Sequence, residues 1–287
     1  NDWDAVLSVT INGQAVGCSA TLINTSLALS AARCFLASSN LTLEQQYACL
    51  RGDCSSALVP TNSIQLVAGP DPRSGYVAAR VKHIRVALTV AALFDDLCDR
   101  ALCGEGWDIA ILHVKSSCEL APALPCIAPI RLATAPPAAG LVAQAIGYGA
   151  WPGYDRREEW HLQLGETGSG VRRSTTATVV TVRSWQLLNL VYGAQGGISE
   201  TMMPGPLCAG DQGAAIVAQR RDQPSSRELV GIGYATDIVS GCASTTPSDA
   251  LSIHATRCWI EATLALWQLP PLIEQHAHEC GSADFFA

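Results

Sequence analysis

The chain of 287 residues is long enough to bury a sizeable core, as one large domain or two smaller ones. Hydrophobic residues make up 48% and charged residues only 15%, against roughly 25% charge in an average soluble domain, so part of the surface is expected to lie under a partner. A formal net charge of -7 argues against a nucleic-acid or polyanion binder, which needs a basic face, and no apolar run is long enough to cross a bilayer as a helix.

In chain order, short β-type runs dominate. AVLSVTI at 5–11, SATLI at 19–23 and SIQLVAG at 63–69 come first, followed by VKHIRVAL at 81–88 and DIAILHV at 108–114. A second set follows: LVAQAIGYG at 141–149, TATVVTV at 176–182, AAIVAQ at 214–219 and LVGIGYA at 229–235. Turn residues bound these runs and several alternate apolar with polar positions, the pattern of a sandwich or barrel. RLATAPPAAG at 131–140 reads as a linker between the two sets. Only ATRCWIEATLALWQL at 255–269 has apolar residues at three- and four-residue spacing, so a helix is expected there, stopped by Pro270 and Pro271. The remainder, LIEQHAHECGSADFFA, reads as a tail. Its His276, His278 and Cys280 are residue types that ligate metals, but a tail is the simpler reading, and neither metal nor cofactor is expected.

The twelve cysteines are an even number, and no CxxC pair suggests zinc. A disulfide framework and an oxidising, extracellular compartment are therefore expected. The spacings Cys49 to Cys54, Cys98 to Cys103 and Cys118 to Cys126 suit short closed loops. Cys118, Cys126, Cys258 and Cys280 allow three pairings, and local closure would give Cys118–Cys126 and Cys258–Cys280; Cys280 could instead form a disulfide with a partner chain. Sequons at Asn24 and Asn40 fit the same compartment. No secretory signal precedes Asn1, so the chain reads as a mature form. Closing Cys49 on Cys54 would make a small constrained hairpin of Arg51, Gly52 and Asp53, holding a cation and a carboxylate at fixed separation. That tripeptide looks like the integrin-binding motif of adhesion proteins; its bland reading is a turn.

GCSATLINTSLALSAARC at 17–34, WDIAIL at 107–112 and CAGDQGAAI at 208–216 carry a more specific signal. Together, and in this order, they resemble the chymotrypsin-like (trypsin-fold) serine protease family. LVGIGYATDIVSGCA resembles the strand lining the family's specificity pocket, and RCWIEATL its C-terminal helix. The resemblance implies an all-β fold of two six-stranded antiparallel β-barrels with a C-terminal α-helix. A double-barrel domain would span 1–255, with a first barrel at about 1–120 and a second at about 136–255, before the helix and tail at 256–287. It further implies the pairs Cys18–Cys34 and Cys208–Cys242, and it would permit Cys126–Cys258 as a third option for the ambiguous cysteines.

The resemblance also places a degenerate triad. Arg33 stands where the family has histidine, Asp108 is the aspartate, and Gln212 replaces the serine. A guanidinium does not deprotonate in proteins, so Arg33 cannot serve as the base. Gln212 has no hydroxyl to activate. The members of such a site act as a unit, so losing two of them removes the activity. Asp108 is expected to pair with Arg33 and hold the old site closed. Gly210, Asp211 and Gly213 would be the remnant of the oxyanion loop, and Pro206, Thr236 and Ser248 the remnant of the specificity pocket, its wall glycines replaced by bulk. Without the family's inserted amino terminus, Asp211 is expected to lack its counter-charge. The stretch from Arg33 to Asp108 spans 75 residues and holds Cys49, Cys54, Cys98 and Cys103, so the insertions read as stapled loops, a common form of recognition surface. The expected function is non-enzymatic: a secreted protein-binding subunit or adaptor in a larger extracellular assembly. The alternatives are a decoy that binds protease substrates or inhibitors, an RGD-type adhesion ligand, and a hydrolase with a relocated triad.

Overall fold

The computed structural model describes residues 2–37, 42–50, 54–88, 108–120, 125–149, 171–183, 187–192, 211–220, 223, 226–235 and 248–272. The first half is a closed six-stranded antiparallel barrel. Its strands are β1 (Val6–Ile11), β2 (Gln14–Asn24), β3 (Leu27–Ser30), β4 (Ile64–Ala68), β5 (Tyr76–Leu88) and β6 (Asp108–Ser116), in the order β1-β2-β3-β6-β5-β4. Ile11 pairs with Gln14 across a two-residue turn, Asn12-Gly13, in which both residues have positive φ (53° and 77°). That turn matches the right-handed twist of its flanking strands, and Asn-Gly is the pair that adopts it most cheaply.

Between β3 and β4 lies a helix, α1 (Leu43–Leu50), which the strand-dominated sequence reading does not foresee. Its start is set locally. Gln45 N donates to Thr42 Oγ1 at 3.2 Å and Thr42 N donates to Gln45 Oε1 at 3.0 Å, a reciprocal capping box. Cys49 in the last turn of α1 bonds to Cys54. Arg51, Gly52 and Asp53 lie outside the described residues. So do Asn40, Cys98, Cys103, Pro206, Cys208, Gly210, Thr236, Cys242, His276, His278 and Cys280.

The second half is a seven-stranded sheet. It comprises β7 (Arg131–Leu132), β8 (Val142–Gly147), β9 (Arg173–Arg183), β10 (Leu187–Tyr192), β11 (Ala215–Gln219), β12 (Arg227–Ala235) and β13 (Ser248–Ser252). Their order is β11-β8-β9-β10-β13-β12-β7, and the end strand β11 pairs additionally with β12. The expectation of two closed barrels is thus met for the first; the second half is a sheet with this extra pairing. The linker reading of 131–140 also needs correction. Its first residues form β7, parallel to β12, while the preceding Ile130 N donates to Leu22 O of β2 at 2.9 Å. The crossing between the halves is therefore stitched to both.

Burial follows the strand period of two. Along β11, Ala215 and Val217 join the main core, which extends through the first barrel, while Ile216 and Ala218 face a second cluster. That second cluster is built mostly of alanine, with Ala143, Ala145, Ala177 and Ala250 at its inner positions. A turn of helix at Ser117–Leu120, α2, follows β6, and the C-terminal helix α3 spans Ile253–Leu266. It buries Ile253, Thr256, Ile260 and Leu264, with Trp259 beside them, on one stripe at the expected spacing. It begins two residues earlier and ends three earlier than the sequence pattern suggests. The stop is Gln268, at φ 56°, and not the prolines: Gln268 N donates to Ala265 O at 3.1 Å and Leu269 N to Leu264 O at 2.9 Å, a Schellman motif.

Three disulfides lie among the described residues: Cys18–Cys34, Cys49–Cys54 and Cys118–Cys126. Cys258 is also disulfide-bonded, to a cysteine outside them. Closure of Cys118 on its near neighbour removes the Cys126–Cys258 option. The bracket around α2 is local, with Ser117 Oγ donating to Pro125 O at 2.8 Å beside the bond. These disulfides are compatible with an extracellular protein. No helix among the described residues is long and apolar enough to cross a membrane.

Candidate functional site

Arg33 and Asp108 meet because β3 pairs with β6. Ser30, the last residue of β3, opposes Ala110, so the 3₁₀ turn Ala32–Phe35 after β3 lies against the start of β6, which is Asp108. Arg33 N donates to Asp108 Oδ1 at 2.9 Å, and Arg33 Nε donates to Oδ2 at 2.5 Å. The carboxylate is fully buried and the arginine side chain is 21% exposed. The Cys18–Cys34 bond fixes the turn to β2 one residue beyond Arg33.

The Gln212 loop reaches the same place from the other half. Gln212 O accepts from Ser19 N at 2.9 Å and lies 3.8 Å from Cys34 Sγ. Gly213 follows at φ 81°, its N–H donating to Gly233 O of β12 at 2.9 Å. Any side chain there would collide with Ser19 O, and would crowd Ser30 Oγ and Ala31 N at 2.6 and 3.0 Å, so both the backbone angle and the space demand glycine. Arg33 and Asp108, 75 residues apart, thus meet the Gln212 loop, which reaches Cys34 across 178 residues, at one seam.

That seam is polar and buried. Ser30 Oγ donates to Ser19 O at 2.6 Å, and Ser19 Oγ accepts from Tyr148 N at 3.0 Å. Tyr148 Oη donates to Gly69 O at 2.6 Å, with Val6 O 3.3 Å away. Burial pushes the Tyr148 phenol up to about 12. None of these partners was singled out from the sequence. The only local signal is the pair of glycines flanking Tyr148 in GYG.

Those glycines exist for Asp211. Gly149 N donates to Asp211 Oδ1 at 2.8 Å, and a side chain at either Gly147 or Gly149 would run into the carboxylate. Arg173, at the start of β9, donates through Nη1 to Gly149 O at 3.2 Å. Burial holds its guanidinium below the ordinary arginine value, and the charge of Asp211 works against that shift. Asp211 therefore has partners within this chain other than the terminal ammonium that the resemblance would supply. An amide and a nearby cation from this same chain attend it, because strands β8 and β9 bring Gly149 and Arg173 to its side.

Chemically, the site holds a fixed positive charge against a buried carboxylate, with an amide side chain in the loop opposite. The guanidinium can donate but not take up a proton, and the Gln212 amide offers no hydroxyl or thiol. Of the pocket positions, Ser248 opens β13 and pairs with Leu190 of β10; the others lie outside the described residues. Asn24 closes the hairpin from β2 to β3, its Oδ1 accepting from Ser26 N at 2.6 Å and from Ser26 Oγ at 3.1 Å. Among the described residues no group of three or more His, Cys, Asp or Glu side chains is placed to hold a metal ion. No protein-family model matches the chain, and no curated protein is significantly similar to it.

Proposed function

We propose that this chain is a catalytically inactive relative of the trypsin-fold serine proteases that works by binding another protein, as a subunit or adaptor in an extracellular assembly. The observation that carries this reading is the buried ion pair of Arg33 and Asp108 beside the Gln212 loop. The position where the family keeps a proton acceptor is filled by a group that cannot accept one, and the orienting carboxylate is already engaged. The β11–β12 pairing supports reading the second sheet as the family's second barrel. Retention of Gly213 and of the Asp211 contacts alongside a lost nucleophile supports a scaffold kept for its shape. Thin charge and stapled insertions support a surface that meets a protein partner.

A biotinylated fluorophosphonate tests the inactive state directly. The wild-type protein is expected to remain unlabelled under conditions that label trypsin to completion. Labelling of the wild type would overturn the reading and point to a hydrolytic centre elsewhere in the chain.

A further inference from the structure

A groove of about 570 Å³ runs between β5, the segment following Cys54, and the end of α3, away from the seam just described. Lys82, His83 and Arg85 of β5 line it, with Trp267 at the helix end and Leu58 and Pro60 on the far wall. None of its described lining residues is acidic, on a chain whose net charge is -7. Arg85 is half-buried there. Its one described side-chain hydrogen bond is a long one, from Nη1 to Thr263 Oγ1 at 3.5 Å, and no carboxylate pairs with it among the described residues. Burial holds its guanidinium below the ordinary arginine value, though it stays charged at any physiological pH. Lys82 is exposed, with Glu119 3.9 Å from its ammonium.

Beside these cations stands an aromatic stack. His83 lies over His113 with centroids 5.5 Å apart, and Trp267 approaches both, at 6.3 and 6.0 Å. His113 Nδ1 is buried with no hydrogen-bond partner among the described residues. The groove thus combines a partly desolvated fork of guanidinium donors with a flat aromatic wall. A planar fork binds carboxylates in two-pronged fashion, and desolvation strengthens that bond.

We propose that this groove receives an acidic peptide segment of a protein partner, with a Glu or Asp carboxylate on Arg85, flanked by Lys82 and His83, and an adjoining apolar side chain against Trp267. This deepens the binding reading above and rests on it for the partner being a protein. A peptide supplies charge and apolar surface side by side, as the groove requires; a nucleic acid or sulfated chain supplies dense charge that the acidic remainder of the molecule repels.

The test is fluorescence polarisation with the full chain and a fluorescein-labelled peptide, acetyl-Glu-Leu-Glu-Phe-Glu-amide. The wild type is expected to bind it, and its Lys-for-Glu counterpart is expected not to. Arg85→Gln should weaken binding roughly tenfold or more, the scale of losing a charge-assisted hydrogen bond. Lys82→Glu alters an exposed side chain, so it tests the same electrostatics without disturbing the core, and should also weaken binding. Arg131→Gln, on a distant exposed position, should leave it unchanged. Equal binding by wild type and both groove variants overturns the proposal. So does displacement of the peptide by 3-phenylpropionate or sulfate at matched concentration, which would make the groove a site for small anions. Fluorophosphonate labelling is indifferent to these outcomes, so a failure of the groove and a failure of the inactive-protease reading are told apart.

Discussion

Asp108 shows how strongly a single buried charge constrains its neighbours. Fully enclosed, it must be compensated, and the backbone N–H and Nε of Arg33 do so together. Truncating Arg33 would leave the buried carboxylate with the backbone N–H but without its cation, a class of change that costs about 3–5 kcal/mol. The arginine is therefore structural in a way that a catalytic histidine need not be. Tyr148 makes a different and pH-dependent contribution. Its phenol is held protonated up to about 12, against 10.0 for an ordinary tyrosine. Below pH 10 both folded and unfolded chains keep the proton. Between 10 and about 12 only the folded chain does, so stability falls as pH rises through that window, by up to ~1.4 kcal/mol per pH unit. Tyr148→Phe removes this slope along with the hydrogen bond to Gly69, worth about 1 kcal/mol at neutral pH. Urea titrations of both proteins at pH 8 to 12 should show the gap between them closing above pH 10. A gap of constant size would contradict the assignment.

Among the elements, those set by local chemistry are the ones a sequence can announce. The Asn12-Gly13 turn and the Thr42-to-Gln45 capping box are both readable motifs, and each forms where it is written. The box alone does not announce α1, because the apolar pattern of LEQQYACL is weak and a short helix gains little from periodicity. Strands β3, β10 and β13 escaped for a related reason. Four to six residues are too few to display a clear alternation, and their partners are far away in the chain. The end of α3 depends on Gln268 taking a left-handed conformation that costs an ordinary residue about 1 kcal/mol. Gln268→Gly should relieve this and stabilise the protein by about 0.5–1 kcal/mol, read as a rise in the thermal midpoint of a few degrees. No change, or a fall, would mean that the Gln268 side chain holds the corner by contacts of its own.

For the whole molecule, the two halves are joined by more than their connection: Ser19, Tyr148 and Gln212 exchange hydrogen bonds across the seam, and one main core spans both. On the reading proposed above, the protein acts through its surface. Gentle purification from the natural source should therefore yield a native mass well above that of one chain, with a constant partner; a clean monomer by light scattering would sink the obligate-subunit reading. The sequence by itself determined the predominance of strands, the C-terminal helix, the disulfide-rich character, and the chemistry open to Arg33 and Gln212, because composition, periodicity and residue chemistry are local properties. Only the tertiary structure decided that Cys118 closes on Cys126, that Gly149 and Arg173 attend Asp211, and that Lys82, Arg85 and Trp267 share a groove. The last two depend on strands and helices brought together from separate parts of the chain, and the free energy that selects such pairings comes from closing the barrel and filling its core, which no short stretch of sequence contains.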